Sequence, residues 1–123
     1  PAFADPSGAA PLEERARGYL HANCSHCHRP GGGGGSTGLE LVAWETEPTK
    51  LGICKGPVAA GSGTGMHLFD VVPGKPEESI MIFRMNSIDP DIKMPEIPNL
   101  LPDTKGVELI SQWIQSLSPA GCP

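Results

Sequence analysis

The sequence predicts an all-α fold, with three main helices separated by long Gly/Pro-rich loops. Three observations carry that expectation. Apolar residues recur at helical spacing in three stretches, two of them opened by proline and the third by Asp103 or Thr104. The 16 Gly and 14 Pro of the 123 residues fall mostly between those stretches. Cys24-Ser25-His26-Cys27-His28 has the C-x-x-C-H spacing in which two thiols add to the vinyl groups of one haem and the adjacent imidazole ligates its iron. The helices and loops are therefore expected to enclose one haem c, bonded through Cys24 and Cys27, with His28 as proximal axial ligand.

The first helix is expected to open at Pro11, because proline suits a first turn and Glu13 and Glu14 favour the positive end of the helix dipole. Leu12, Ala16, Tyr19 and Leu20 share one face, and Gly18 weakens the helix slightly. This helix would deliver Cys24 to the haem. Residues 1–10 are small and polar and read as a linker or N-terminal arm, leaving residues 11–123 as the domain. After His28, Arg29-Pro30 leads into five consecutive glycines, Gly31 to Gly35. They read as a loop without chemistry of its own, or else as one that must approach the haem edge closely. Leu39 to Trp44 is a short apolar segment, helix or strand. Gly61-Ser62-Gly63-Thr64-Gly65 is a second loop, and Val71-Val72-Pro73-Gly74 a turn. Pro76 then starts a second helix through Met85, with Glu77 and Glu78 behind it. Pro90, Pro95, Pro98 and Pro102 preclude a helix over residues 88–102. Asp103 or Thr104 caps the third helix, which runs to about Leu117 with a stripe of Leu109, Ile110, Trp113, Ile114 and Leu117.

Composition bounds the function. The length fits one domain. Only 38% of residues are hydrophobic and 5% aromatic, a thin core that a buried haem would complete. The formal net charge is −5, with nine Lys plus Arg against 14 Asp plus Glu, and no basic block exists. Nucleic acid is therefore not an expected partner. The scattered charges read as a solvated surface, although an acidic surface would also suit a basic docking partner. No apolar run approaches the length of a membrane span. The opening Pro1-Ala2-Phe3-Ala4-Asp5-Pro6 lacks a leader pattern and reads as a processed terminus or domain boundary.

A bare C-x-x-C also serves zinc sites and dithiol redox centres. Here the adjacent histidine and the lack of a second C-x-x-C favour haem. His28 would give one ring nitrogen to iron and donate the other N–H, with a loop carbonyl as the expected acceptor. The candidate sixth ligand is Met94, in Lys93-Met94-Pro95, whose thioether is soft and neutral and raises the potential. Met85 is its rival, but its helical place beside Ile82 and Phe83 reads as core, as does that of Met81. His67, after Met66, offers a bis-His alternative against a plain surface reading. His21 and His26 read as exposed. Arg29, Arg84 and Lys93 are candidate propionate partners, as is the Trp44 indole, which otherwise reads as a partly buried ring. Cys54 and Cys122 remain and are expected to pair, with free thiols or an intermolecular bond as the alternative. Haem attachment and a disulfide both point to an exported compartment.

The order helix, haem motif, long loops, helix, Pro-rich loop, terminal helix resembles class I cytochrome c. In that family the first and last helices cross, which would bring Ala16, Tyr19 and Leu20 to Ile110, Trp113 and Ile114. The resemblance continues through Val72-Pro73-Gly74-Lys75-Pro76-Glu77-Glu78-Ser79, Arg84-Met85, Met94-Pro95, Gly106-Val107-Glu108-Leu109-Ile110 and Trp113-Ile114. Over residues 19–117 the chain looks like cytochrome c domains found at the ends of large exported bacterial proteins, including planctomycete-type domains. Lys75 departs from them, standing where an acidic helix cap is frequent.

The resemblance implies a monomeric monohaem electron carrier, not an enzyme, that cycles Fe(II)/Fe(III) under His28/Met94 ligation. It would be periplasmic or extracellular, as a module of a larger exported or surface-anchored protein. Its partner would be a redox protein or an adjacent redox domain. A haem-based sensor or gas-binding module with a displaceable sixth ligand is the alternative. A peroxidase-like enzyme would need a distal acid–base group, for which His67 is the one candidate.

Overall fold

The computed structural model describes residues 4–58, 61–95 and 101–123. Pro98 of the proline series and the first three residues of the N-terminal arm lie outside them. The described chain is all-α, with three α-helices and several single 3-10 turns. No strand forms among the described residues, where only two isolated parallel bridges occur, Ile53 with Val71 and Phe69 with Ser79.

Helix α1 spans Leu12–Cys24. Pro11 stands at its N-cap, and Glu13 and Glu14 occupy the first turn. It runs a full turn beyond the apolar stretch that announces it, so Cys24 is its last residue. Ser25 closes it, with both the backbone N–H and the side-chain hydroxyl donating to the His21 carbonyl. Helix α3 spans Thr104–Ser116, and the Asp103 carboxylate caps it by accepting from the Gly106 N–H at 3.1 Å.

Helix α2 is shorter than expected, spanning only Ile80–Met85. Pro76–Glu78 form a separate 3-10 turn, and Ser79 between them is extended. The break has a local cause. The Ser79 hydroxyl donates to the Lys75 carbonyl and accepts from the Val72 N–H, while the Ile80 N–H donates to the Phe69 carbonyl. These bonds pull the backbone out of the helical path at the one buried serine of that stretch. Residues 39–44 are neither helix nor strand. Their backbone is held from outside: the Leu41 N–H donates to the His28 carbonyl, and Arg17 reaches the carbonyls of Val42, Ala43 and Glu45.

The core lies where α1 and α3 pack against each other. Ala16, Tyr19 and Leu20 join Leu109, Ile110, Trp113 and Ile114 in one buried cluster, with Leu41, Leu51, Val71 and Met85 around it. The contact is close because of one glycine: a Cβ on Gly106 would lie 2.1 Å from the Tyr19 hydroxyl oxygen. That hydroxyl donates to the Asp103 carboxylate at 2.9 Å, so one acid caps α3 and anchors α1. Burial and the neighbouring Asp103 push the Tyr19 phenol well above its usual range. The Gly106 N–H holds the Asp103 carboxyl below the usual carboxylate range against the opposing effect of burial, with Tyr19, Lys105 and Lys93 assisting. Trp113 is fully buried, and its indole N–H donates to the Glu13 carboxylate.

Cys54 and Cys122 form a disulfide, with Cα atoms 5.5 Å apart. It fastens the tail beyond α3 to the middle of the chain, beside a bond from the Gly121 N–H to the Pro73 carbonyl. Among the described residues no helix is long and apolar enough to cross a membrane.

Candidate functional site

A cavity of about 480 Å³ opens between the end of α1, α2 and the loops that follow each of them. Its size lies within the range of about 300–1,000 Å³ usual for small-molecule and cofactor sites. Cys24, Cys27 and His28 line it from the α1 side, Leu39 and Leu41 from the next loop, and Ile80, Met81, Arg84, Met85 and Met94 from α2 and beyond. The chain thus brings the C-x-x-C-H residues and Met94 to one largely apolar cavity.

The attachment segment is shaped by its own backbone. The Cys27 and His28 N–H groups both donate to the Cys24 carbonyl, so the chain turns tightly straight after α1. Both cysteines are free thiols and partly accessible. Burial pushes the Cys24 thiol up to about 12, with Cys27 adding to the rise. Among the described residues no three His, Cys, Asp or Glu side chains gather as a metal site would require.

One partner of the His28 ring is a hydroxyl. His28 Nδ1 lies 3.2 Å from Thr37 Oγ1. That hydroxyl has one proton, which it gives to the Gly34 carbonyl at 2.7 Å, and it already accepts from the Leu39 N–H. With the hydroxyl proton given to Gly34, Nδ1 is placed to donate to Thr37 Oγ1, an arrangement in which Nε2 carries the lone pair. A histidine prepared to ligate iron needs that tautomer. The Gly31–Gly35 run gains a definite role. A Cβ on Gly34 would lie 2.9 Å from His28 Cε1, and one on Gly32 would lie 2.4 Å from the Cys27 carbonyl oxygen. Two of the five glycines allow the loop to fold back under the motif and its imidazole.

The methionines separate by environment. Met85 is 5% exposed and belongs to the core cluster, with Met81 packed against it. Met94 lines the cavity from outside that cluster, on a segment without helical structure. Met66 is 95% exposed and does not line the cavity. Nor does His67, whose ring meets Phe83 edge-on at 5.9 Å.

The four candidate propionate partners do not share a site. Arg84 alone lines the cavity. Arg29 is exposed, and Lys93 is buried near Asp103, whose carboxyl its charge helps to hold down. Trp44 is 72% exposed, not partly buried, and packs on the His21 ring at 5.3 Å. His21 is half-buried, not exposed, and its Nδ1 accepts from the Ala43 N–H at 3.0 Å. His26 is exposed as a residue but reaches the cavity rim.

Asp70 is a cavity residue with no motif to mark it. It is buried, and Lys55 Nζ lies 3.6 Å from its carboxylate. Burial raises its pKa against the opposing charges of Lys55 and Arg84. The one available signal was the sign pattern of isolated charges in an otherwise apolar region, which does not pair them without a fold.

The residues present fit a covalently bound haem. The cavity is largely apolar, two thiols at the required spacing stand on its wall, and the neighbouring imidazole is hydrogen-bonded through Nδ1. No family description, curated protein or solved structure matches this chain.

Proposed function

We propose that this chain is a monohaem c-type cytochrome domain of the class I kind that carries single electrons. The observation that carries the proposal is the convergence of Cys24, Cys27, His28 and Met94 on one apolar cavity although Met94 is remote in sequence. When bound, haem supplies a one-electron Fe(II)/Fe(III) couple. The chain's residues do the rest. Cys24 and Cys27 hold the group by thioether bonds. His28 presents Nε2 while Thr37 holds its other ring nitrogen. Met94 offers a neutral sulfur, which favours the reduced state and raises the potential. Leu20, Leu39, Leu41 and Ile80 exclude water and keep the dielectric low.

A covalently held cofactor and a disulfide both suit an oxidising compartment, which supports a place in the periplasm or outside the cell. There it would work as one module of a larger exported protein, exchanging electrons with a partner protein or an adjacent domain. A peroxidase draws no support from His67, which is turned to Phe83 outside the cavity lining.

The test is Met94→Ala in the haem-loaded protein. The variant should lose the sulfur-to-iron charge-transfer band, lower the reduction potential and bind carbon monoxide rapidly when reduced. A band that persists in Met94→Ala removes Met94 as ligand. Rapid carbon monoxide binding by the unaltered ferrous protein would instead favour a gas sensor.

A further inference from the structure

Met94 sits on a segment that has no regular structure of its own, so something else must hold its sulfur in the cavity. Within the loop the Ile92 and Lys93 N–H groups donate to the Asp89 carbonyl, and the bonds that tie the loop to α2 come from Arg84. The Met94 N–H donates to the Arg84 carbonyl at 3.0 Å, and Arg84 Nε donates to the Ile92 carbonyl at 2.9 Å. Arg84 therefore grips the chain on both sides of Lys93, once by its backbone and once by its side chain. It stands in the last turn of α2, whose Ile80 and Met85 are buried in the core. The grip thus ties the loop to a fixed element.

The guanidinium has a prepared place. A Cβ on Gly63 would lie 2.8 Å from Arg84 Nη1 and 2.9 Å from Cζ, so the guanidinium takes up space that only a glycine leaves there. Gly65 does the same for the adjacent Phe83, where a Cβ would lie 2.8 Å from the ring. The Gly61–Thr64 turn is thus a bed for α2 and not a plain connector.

We propose that Arg84 is the positioning residue for the Met94 sulfur, and that Gly63 is required because it admits the guanidinium. The inference rests on the reading of Met94 as axial ligand. A thioether binds iron weakly, and a loop free to move would lose entropy each time the sulfur docked. Two bonds to a packed helix remove most of that loss beforehand. Outer partners of this kind typically change ligand strength by about 10–100-fold. This role differs from propionate pairing, which needs only a positive charge near the group. The clamp needs a donor at the Nε position of a flat side chain.

The experiment measures imidazole affinity of the ferric haem-loaded protein, together with the sulfur-to-iron band, in four proteins. Imidazole competes with the sulfur for the sixth position. Arg84→Met should raise imidazole affinity about tenfold or more and weaken the band. Arg84→Lys keeps the charge but not the Nε donor, and should behave like Arg84→Met. Gly63→Ala keeps the arginine but displaces it, and should shift both readouts in the same direction. If Arg84→Met does not fold, the other two variants carry the comparison. Wild-type imidazole affinity in Arg84→Lys and Gly63→Ala overturns the clamp while leaving Met94 as ligand. A wild-type protein with no sulfur-to-iron band overturns both.

Discussion

The hydrogen bond that one imidazole nitrogen makes sets the orientation and basicity with which the other can ligate iron. In this chain Thr37 supplies that bond to His28, because its hydroxyl proton is already committed to the Gly34 carbonyl. Thr37→Val removes this acceptor while nearly keeping the shape. The imidazole then loses electron density, which disfavours Fe(III), so the reduction potential should rise and the ferric iron should hold His28 on the order of tenfold less tightly. Potentiometry of the haem-loaded variant checks this; an unchanged potential means that Thr37 does not set the ring. The contrast between His28 and Thr37 shows what a sequence displays at this scale. His28 stood out in the sequence because C-x-x-C-H is a recognisable spacing, and the structure sets it on the cavity wall. Thr37 did not, because a hydroxyl nine residues on has no pattern that distinguishes it from any surface threonine. Trp44 failed for the related reason that an aromatic in a short apolar run looks buried, whereas its run is held by Arg17 and His21 and leaves the ring outside.

At the scale of elements, the molecule depends on how closely α1 and α3 approach. Gly106→Ala places a methyl against the Tyr19 hydroxyl and the Asp103 carboxylate. Alanine is the better helix former by about 1 kcal/mol, yet overpacking typically costs about 1–3 kcal/mol, and here the obstruction is also polar. The net effect should be a loss of about 1–2 kcal/mol, read as a lower denaturation midpoint. An unchanged or higher midpoint would show that the crossing can relax. The second element-scale prediction concerns the tail. Replacing Cys54 and Cys122 with serine frees the segment after α3 and should cost about 4 kcal/mol in the chain-entropy picture. Equilibrium unfolding compares the two proteins, and equal stability would mean that the bond adds nothing. The terminal helices were legible because their signals agree: Pro11 with Glu13 and Glu14, and Asp103 with an uninterrupted apolar stripe. The start of helix α2 was not, because it depends on Ser79, whose hydroxyl bonds to backbone groups four and seven residues away. Only the folded chain brings the Val72 N–H there.

For the whole molecule, the thin composition and the cavity are two sides of one fact. A chain with few aromatics packs α1 on α3 and leaves about 480 Å³ beside them, walled by leucines, isoleucine and methionines. The motif suggests what would fill that space, and the fold sets Cys24, Cys27 and His28 on its wall. The loops were harder to read because glycine is ambiguous in sequence: Gly32, Gly34, Gly63 and Gly65 look like slack but are points of close approach. The central claim is that one haem is bonded to Cys24 and Cys27. Intact mass under denaturing conditions tests it most directly, on protein made in a host that performs c-type haem attachment. An electron carrier of this kind gives the polypeptide plus one haem, and gives the bare polypeptide when both cysteines are replaced by alanine. A bare polypeptide mass from the unaltered chain in that host would contradict it.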